Sequence, residues 1–121
     1  MKNKVILIDD DEIICELGQE MFEMLGVECF VAQTMEETME CIQNHLDEIA
    51  FALIDLNLEK VSGVDIFKEI LKHDSKFIAI MASGSFIESD APKYIACGFV
   101  DIILKPYSLG TLKGLITKYI K

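Results

Sequence analysis

Apolar residues recur along this chain in two rhythms. Val5 to Ile8, Phe51 to Ile54, Phe77 to Ala82 and Phe99 to Leu104 are short runs dominated by Ile, Val, Leu and Phe, with Val27 to Ala32 as a fifth candidate. They lack strict alternation, as expected of parallel strands covered on both faces. Between them apolar residues return every three or four positions. The first set is Ile14, Leu17, Met21 and Leu25, followed by Met39, Ile42 and Leu46, by Val64, Phe67 and Leu71, and finally by Leu109, Leu112, Ile116 and Ile120. Each spacing predicts a helix with one buried stripe. Gly26 stands where a left-handed cap would close the first helix, and Thr34-Met35-Glu36-Glu37 reads as a capping box opening the second. Five alternations of strand and helix with short connections imply a parallel sheet with right-handed crossovers and helices on both faces.

The length of 121 residues suits one domain with one core. No apolar run approaches the roughly 20 residues that span a bilayer, and Met1-Lys2-Asn3-Lys4 does not open a secretory signal. A soluble, cytoplasmic protein without membrane contact is expected. Cys15, Cys29, Cys41 and Cys97 are scattered, without a Cys-x-x-Cys pair or ligand spacing to His45 or His73, so they read as reduced thiols. With 21 acidic against 11 basic residues the net charge is −10, which disfavours nucleic-acid binding and points to proteins or cations as partners.

Ligands of an open parallel sheet bind beyond the carboxyl ends of its strands. There the first run ends in Asp9-Asp10-Asp11-Glu12, the third strand in Asp55, the fourth in Ser83-Gly84 and the fifth in Lys105-Pro106. Carboxylates from neighbouring strands repel unless a cation intervenes. A hard ion such as Mg²⁺ takes one or two carboxylates and keeps room for a phosphoryl oxygen. A hydroxyl and an ammonium could then meet the remaining oxygens of a phosphoryl group on Asp55. Asp11 and Glu12 read instead as acids at a helix start, stabilised by its dipole and without a ligand role.

From Lys4-Val-Ile-Leu-Ile-Asp-Asp-Asp11 through Leu53-Ile-Asp-Leu-Asn57, Ser62-Gly63 and Ala82-Ser83-Gly84 to Leu104-Lys105-Pro106-Tyr107, the sequence resembles a response-regulator receiver domain of two-component signalling over nearly its whole length. The resemblance implies an α/β fold, a flavodoxin-like, doubly wound sheet of five parallel strands in the order 2-1-3-4-5, with five helices in three α/β/α layers. It implies that Asp55 is the phosphoacceptor, with Lys105 and Ser83 contacting the phosphoryl group. Asp9, Asp10, Asp55 and the backbone carbonyl of Asn57 would hold Mg²⁺, for which Mn²⁺ would substitute. Gly84 would leave the approach open, while Asn57 and Ser85 would tune the lifetime of the aspartyl phosphate. The implied donor is a histidine kinase or a histidine phosphotransfer protein in a phosphorelay. The readout would be the surface of the fourth and fifth helices and the strand between them, acting on a downstream protein target. Residues 1–121 would form one receiver domain with no output domain, monomeric or dimerising on phosphorylation, and not an enzyme beyond its own phosphorylation and dephosphorylation. A free-standing receiver, a piece of a longer regulator and part of a hybrid kinase remain three open contexts.

Three positions depart from the pattern of such domains. Ile102 stands where an aromatic switch residue is common, so the output would rely on the Ser83 loop, backbone shifts or Tyr107. Glu59 replaces a frequent proline, which predicts a more mobile loop after Asp55. Pro92 requires a late start for the fourth helix, near Asp90 with Ser89 as cap, or else a distortion. Two rivals fit less well. A Mg²⁺-dependent aspartyl-phosphate phosphohydrolase wants a carboxylate two residues after its nucleophile, where Asn57 stands, and a flavin carrier would have its phosphate repelled by Asp9 to Glu12.

Overall fold

The computed structural model describes residues 2–56, 58–84 and 91–120. In chain order the elements are β1 (Lys4–Ile8), α1 (Glu12–Met24), β2 (Cys29–Ala32), α2 (Met35–His45), β3 (Ile49–Asp55), α3 (Gly63–His73), β4 (Ala79–Ser83), α4 (Ala91–Ala96), β5 (Asp101–Leu104) and α5 (Leu109–Tyr119). The strands form one sheet in the order β2-β1-β3-β4-β5, with every neighbouring pair parallel. This is the expected doubly wound, flavodoxin-like arrangement, and its strand order reverses beside β1 and β3.

Each strand sends alternate side chains to opposite layers. Ile6, Ile8, Ile54 and Met81 pack with Ile42, Ile66, Phe67, Ile70 and Phe99 on one face, where the Phe67 and Phe99 rings lie 4.6 Å apart. Val5, Leu7, Leu53 and Ile80 pack with Phe22, Phe51, Leu112 and Leu115 on the other. Every residue of β3 is buried, which explains its unbroken apolar run: no face of the central strand meets water.

Hydroxyls and carboxylates fix where the helices begin. Asp11 caps α1 by accepting from the N–H groups of Ile13 and Ile14, Ser62 caps α3 through Asp65, and Ser108 caps α5 through Thr111. Thr34 accepts from the Glu37 N–H, while the Glu37 carboxylate reaches back to the N–H of Gln33 rather than that of Thr34 itself. Gly26 closes α1 with φ of +81°, the left-handed geometry expected there. Pro92 lies in the first turn of α4, where proline is tolerated, and the anticipated cap and start at Ser89 and Asp90 fall outside the described residues. No described helix is long and apolar enough to cross a membrane.

The stripe expected on α1 requires correction. Cys15, Gly18 and Phe22 face the sheet, whereas Leu17 is 51% exposed and Ile14, Met21 and Leu25 are only partly covered. Close approach is the reason: a Cβ added at Gly18 would collide with the Leu7 side chain and touch the Tyr107 ring. The narrow gap takes small residues, which an apolar count passes over. Leu109, expected on the α5 stripe, is likewise 40% exposed, and Leu112 and Leu115 carry the contact.

These faces predict opposite outcomes for two substitutions in one helix. Phe22→Ala is expected to lower unfolding free energy by about 3–5 kcal/mol, and Leu17→Ala to change it by less than about 0.5 kcal/mol, measured by urea denaturation.

Candidate functional site

The carboxyl edge of the sheet gathers the groups that end its strands. Asp9 directly follows β1, and its N–H still bonds to the Ala32 carbonyl, so the residue remains in the ladder and its side chain cannot turn outward. It is fully buried. One carboxylate oxygen accepts the Asp11 N–H at 2.9 Å, and the other receives the Lys105 Nζ at 2.9 Å. Asp55 ends β3, also buried, with its Oδ1 3.1 Å from the same ammonium. Asp10 is half-buried, and its Oδ2 accepts the Glu59 N–H at 2.6 Å. That N–H is one a proline at this position would lack, so the loop after Asp55 is tied to Asp10 by the very residue predicted to loosen it.

Lys105 reaches the site from beyond β5, and its backbone N–H donates to the Ser83 carbonyl at 2.8 Å. The Lys105–Pro106 peptide bond is cis. Ser83 ends β4 and is buried, with Gly84 exposed behind it. Gly63 begins α3 directly beneath Asp55. Its N–H donates to the Leu56 carbonyl, and a Cβ there would collide with the Asp55 carbonyl oxygen. Glycine is thus required for α3 to approach the end of β3.

One ligand atom from each of Asp9, Asp10 and Asp55 lies within 4.8 Å of the others, a geometry that could hold a metal ion. These are three hard oxygen donors with no sulfur or imidazole among them, and the Lys105 ammonium is the cation that faces them among the described residues. Burial of Lys105 disfavours its charge, but the hydrogen bonds and charges of Asp9 and Asp55 outweigh that and raise its pKa above 10.5. Its pairing is therefore complete at neutral pH and is lost only as pH rises through that raised value. The structure thus brings together Asp9, Asp10, Asp55 and Lys105, with Ser83 at the end of the adjoining strand. Asn57 and Ser85, both assigned roles from sequence, lie outside the described residues.

Burial favours the neutral thiol of the neighbouring cysteines. The Cys15 Sγ donates to the Asp9 carbonyl at 3.1 Å, and burial first, then the charge of Asp9, pushes its pKa up to about 12. Burial also raises Cys29 to about 12 and Cys41 to about 11, and all four thiols are free. Ile102 is half-buried and packs on the α3 side of the sheet. Tyr107 belongs to the opposite layer, where its ring borders Gly18 and its buried hydroxyl has no hydrogen-bond partner among the described residues. Sequence gave no sign of that orphan hydroxyl, because only the packing of α1 against the segment after β5 creates it.

A family model described as the response regulator receiver domain matches residues 5–117. The chain is 30% identical to the transcriptional regulatory protein CpxR of Escherichia coli, over 88% of this chain and 44% of that protein. It is 26% identical to the aerobic respiration control sensor protein ArcB of the same organism, over 95% of this chain and 15% of that one. The chain therefore spans less than half the length of these curated relatives. Among solved structures, the chemotaxis protein CheY4 of Vibrio cholerae superposes with a TM-score of 0.88 at 17% identity, covering 99% of this chain and all of that one. A receiver domain from Clostridium thermocellum gives 0.86 at 24% identity, covering 95% and 91%.

A buried hydroxyl without a partner costs about 1–3 kcal/mol. Tyr107→Phe is accordingly expected to raise the thermal midpoint, by differential scanning calorimetry, while Tyr119→Phe in α5 serves as the control.

Proposed function

This chain belongs to the response regulator receiver domain family, and we propose that it accepts a phosphoryl group on Asp55 from a phosphohistidine or a small acyl phosphate. The observation that carries this reading is the convergence of Asp9, Asp10 and Asp55 opposite the Lys105 ammonium at the ends of separate strands. Such a set has more negative charge than Lys105 can balance. Mg²⁺ would be held by Asp10 and Asp55, by Asp9 directly or through water, and by the Asn57 carbonyl. When bound, it supplies the positive charge that lets a phosphate approach these carboxylates.

The remaining work falls to this chain's own groups. An Asp55 oxygen forms the new bond to phosphorus as the bond from phosphorus to the donor's imidazole nitrogen or acyl oxygen breaks, and the leaving group departs with that electron pair. Lys105, held between Asp9 and Asp55, exchanges a carboxylate oxygen for a phosphoryl oxygen without leaving its pocket. Ser83 offers its hydroxyl to another, drawing its loop inward. Asp9, buried and bonded to the Asp11 N–H, keeps Lys105 aimed.

Phosphorylation places about two negative charges and three acceptor oxygens where a carboxylate with one charge stood. It biases the loops toward the one arrangement that satisfies them. The readout we propose is the surface of α4, β5 and α5, where Ile95, Val100 and Leu104 are exposed and available to a target protein. The donor would be a histidine kinase or a histidine phosphotransfer protein, and the domain would act as a relay rather than as an enzyme on other substrates.

Acetyl phosphate with Mg²⁺ is expected to add one phosphoryl group, located on Asp55 by peptide mass analysis. Asp55→Asn should abolish the label, and persistence would defeat the assignment. Asp10→Ala should also abolish it while circular dichroism stays unchanged. Normal labelling of that variant would refute the ligand set.

A further inference from the structure

Beyond the phosphoryl chemistry, we propose that the amino edge of the sheet carries a binding site for a small amphipathic carboxylate, an aryl or short-chain acid. This edge lies opposite the one that gathers Asp9, Asp10 and Asp55, because every neighbouring pair of strands is parallel. A cavity of about 230 Å³ lies there between the start of β3, the segment leading into β4 and the last turn of α5. Close packing leaves few voids larger than a water molecule, so a space of this size is one the fold itself has not filled.

Its walls are apolar. Ile49, Ala50 and Phe77 are buried, and Ile78 is half-buried. Tyr119 completes the lining, its ring held edge-on to Phe51 with centroids 6.1 Å apart.

Charge enters from two lysines. Lys2 and Lys76 line the same cavity from segments far apart in sequence, and both are exposed. Asp74 is the acid beside them: its Oδ1 accepts the Lys76 N–H at 3.0 Å, and its Oδ2 lies 3.6 Å from the Lys2 Nζ. The Lys76 ammonium forms no ion pair among the described residues. The carboxylate of Glu48, just before β3, is taken up by Lys4 at 2.7 Å and His45 at 2.6 Å. One carboxylate thus stands against two ammoniums, a local positive excess in a chain whose net charge is −10. A lysine past the end of α3 also complements that helix's dipole, a role that calls for no cavity beside it.

This combination selects the occupant. An inorganic anion would leave the apolar walls wet, and a hydrocarbon would leave the ammoniums unused. An apolar body carrying one carboxylate satisfies both. The volume falls below the roughly 300–1,000 Å³ of sites for drug-sized ligands, so the body is a single ring or a short chain. Nothing in this assignment depends on the phosphoacceptor reading.

The test is titration of the ¹⁵N-labelled chain with phenylacetate, against acetate, which lacks the ring, and benzylamine, which reverses the charge. Phenylacetate is expected to shift the amides of Ile49, Ala50, Phe77, Ile78 and Tyr119 and to saturate with a Kd of about 1–10 mM. Acetate and benzylamine should leave those amides unmoved. Lys2→Gln/Lys76→Gln should weaken phenylacetate binding about 5-fold with circular dichroism unchanged, whereas Lys113→Gln, outside the cavity, should not. Asp55→Asn should bind phenylacetate as the wild type does, so failure of labelling at Asp55 and failure of this site are separate results. Equal shifts with benzylamine, shifts confined to the carboxyl edge, or unchanged affinity in the double variant would overturn the proposal.

Discussion

Carboxylates that end neighbouring strands of a parallel sheet cannot move apart, because each is fixed by the ladder that precedes it. At the separation of 4.8 Å or less among Asp9, Asp10 and Asp55, two unit charges repel by about 3.5 kcal/mol or more at an effective dielectric of about 20. One ammonium, shared between Asp9 and Asp55, offsets part of this. The remaining deficit of positive charge is the ground for proposing that this edge takes a cation and, with it, a phosphoryl group.

The rest of the fold holds that arrangement against relaxation. Asp9 is buried and takes an N–H from the chain that turns into α1, so water cannot screen it. Gly63 lets α3 press on the Asp55 carbonyl, and the Lys105 N–H joins the end of β5 to the Ser83 carbonyl of β4. Glu59 closes the loop over Asp10. Each tie comes from a different crossover, so displacement of one strand end would be felt at the others.

Charge is organised at a second scale. The site's negative potential is extended by α1 and α2, which lie in a stretch from Val5 to Glu59 without lysine or arginine.

Strand and helix order, the helix start at Thr34, the stop at Gly26 and the carboxyl-edge position of Asp9, Asp10, Asp55, Ser83 and Lys105 were all legible in the chain. Periodicity, capping chemistry and the rule that strand ends form the ligand edge are local properties that residue order alone determines. Tertiary structure decided the rest. Leu17 could be known as outward only once Gly18 was seen against Leu7, and the orphan hydroxyl of Tyr107 exists only where α1 meets the segment after β5. The pairing of Lys105 with both Asp9 and Asp55, and of the Glu59 N–H with Asp10, depends on distances between segments far apart in sequence. A sequence fixes what each segment prefers by itself, whereas close packing fixes which of two adjacent faces turns inward, and that choice depends on the volume left by its neighbours.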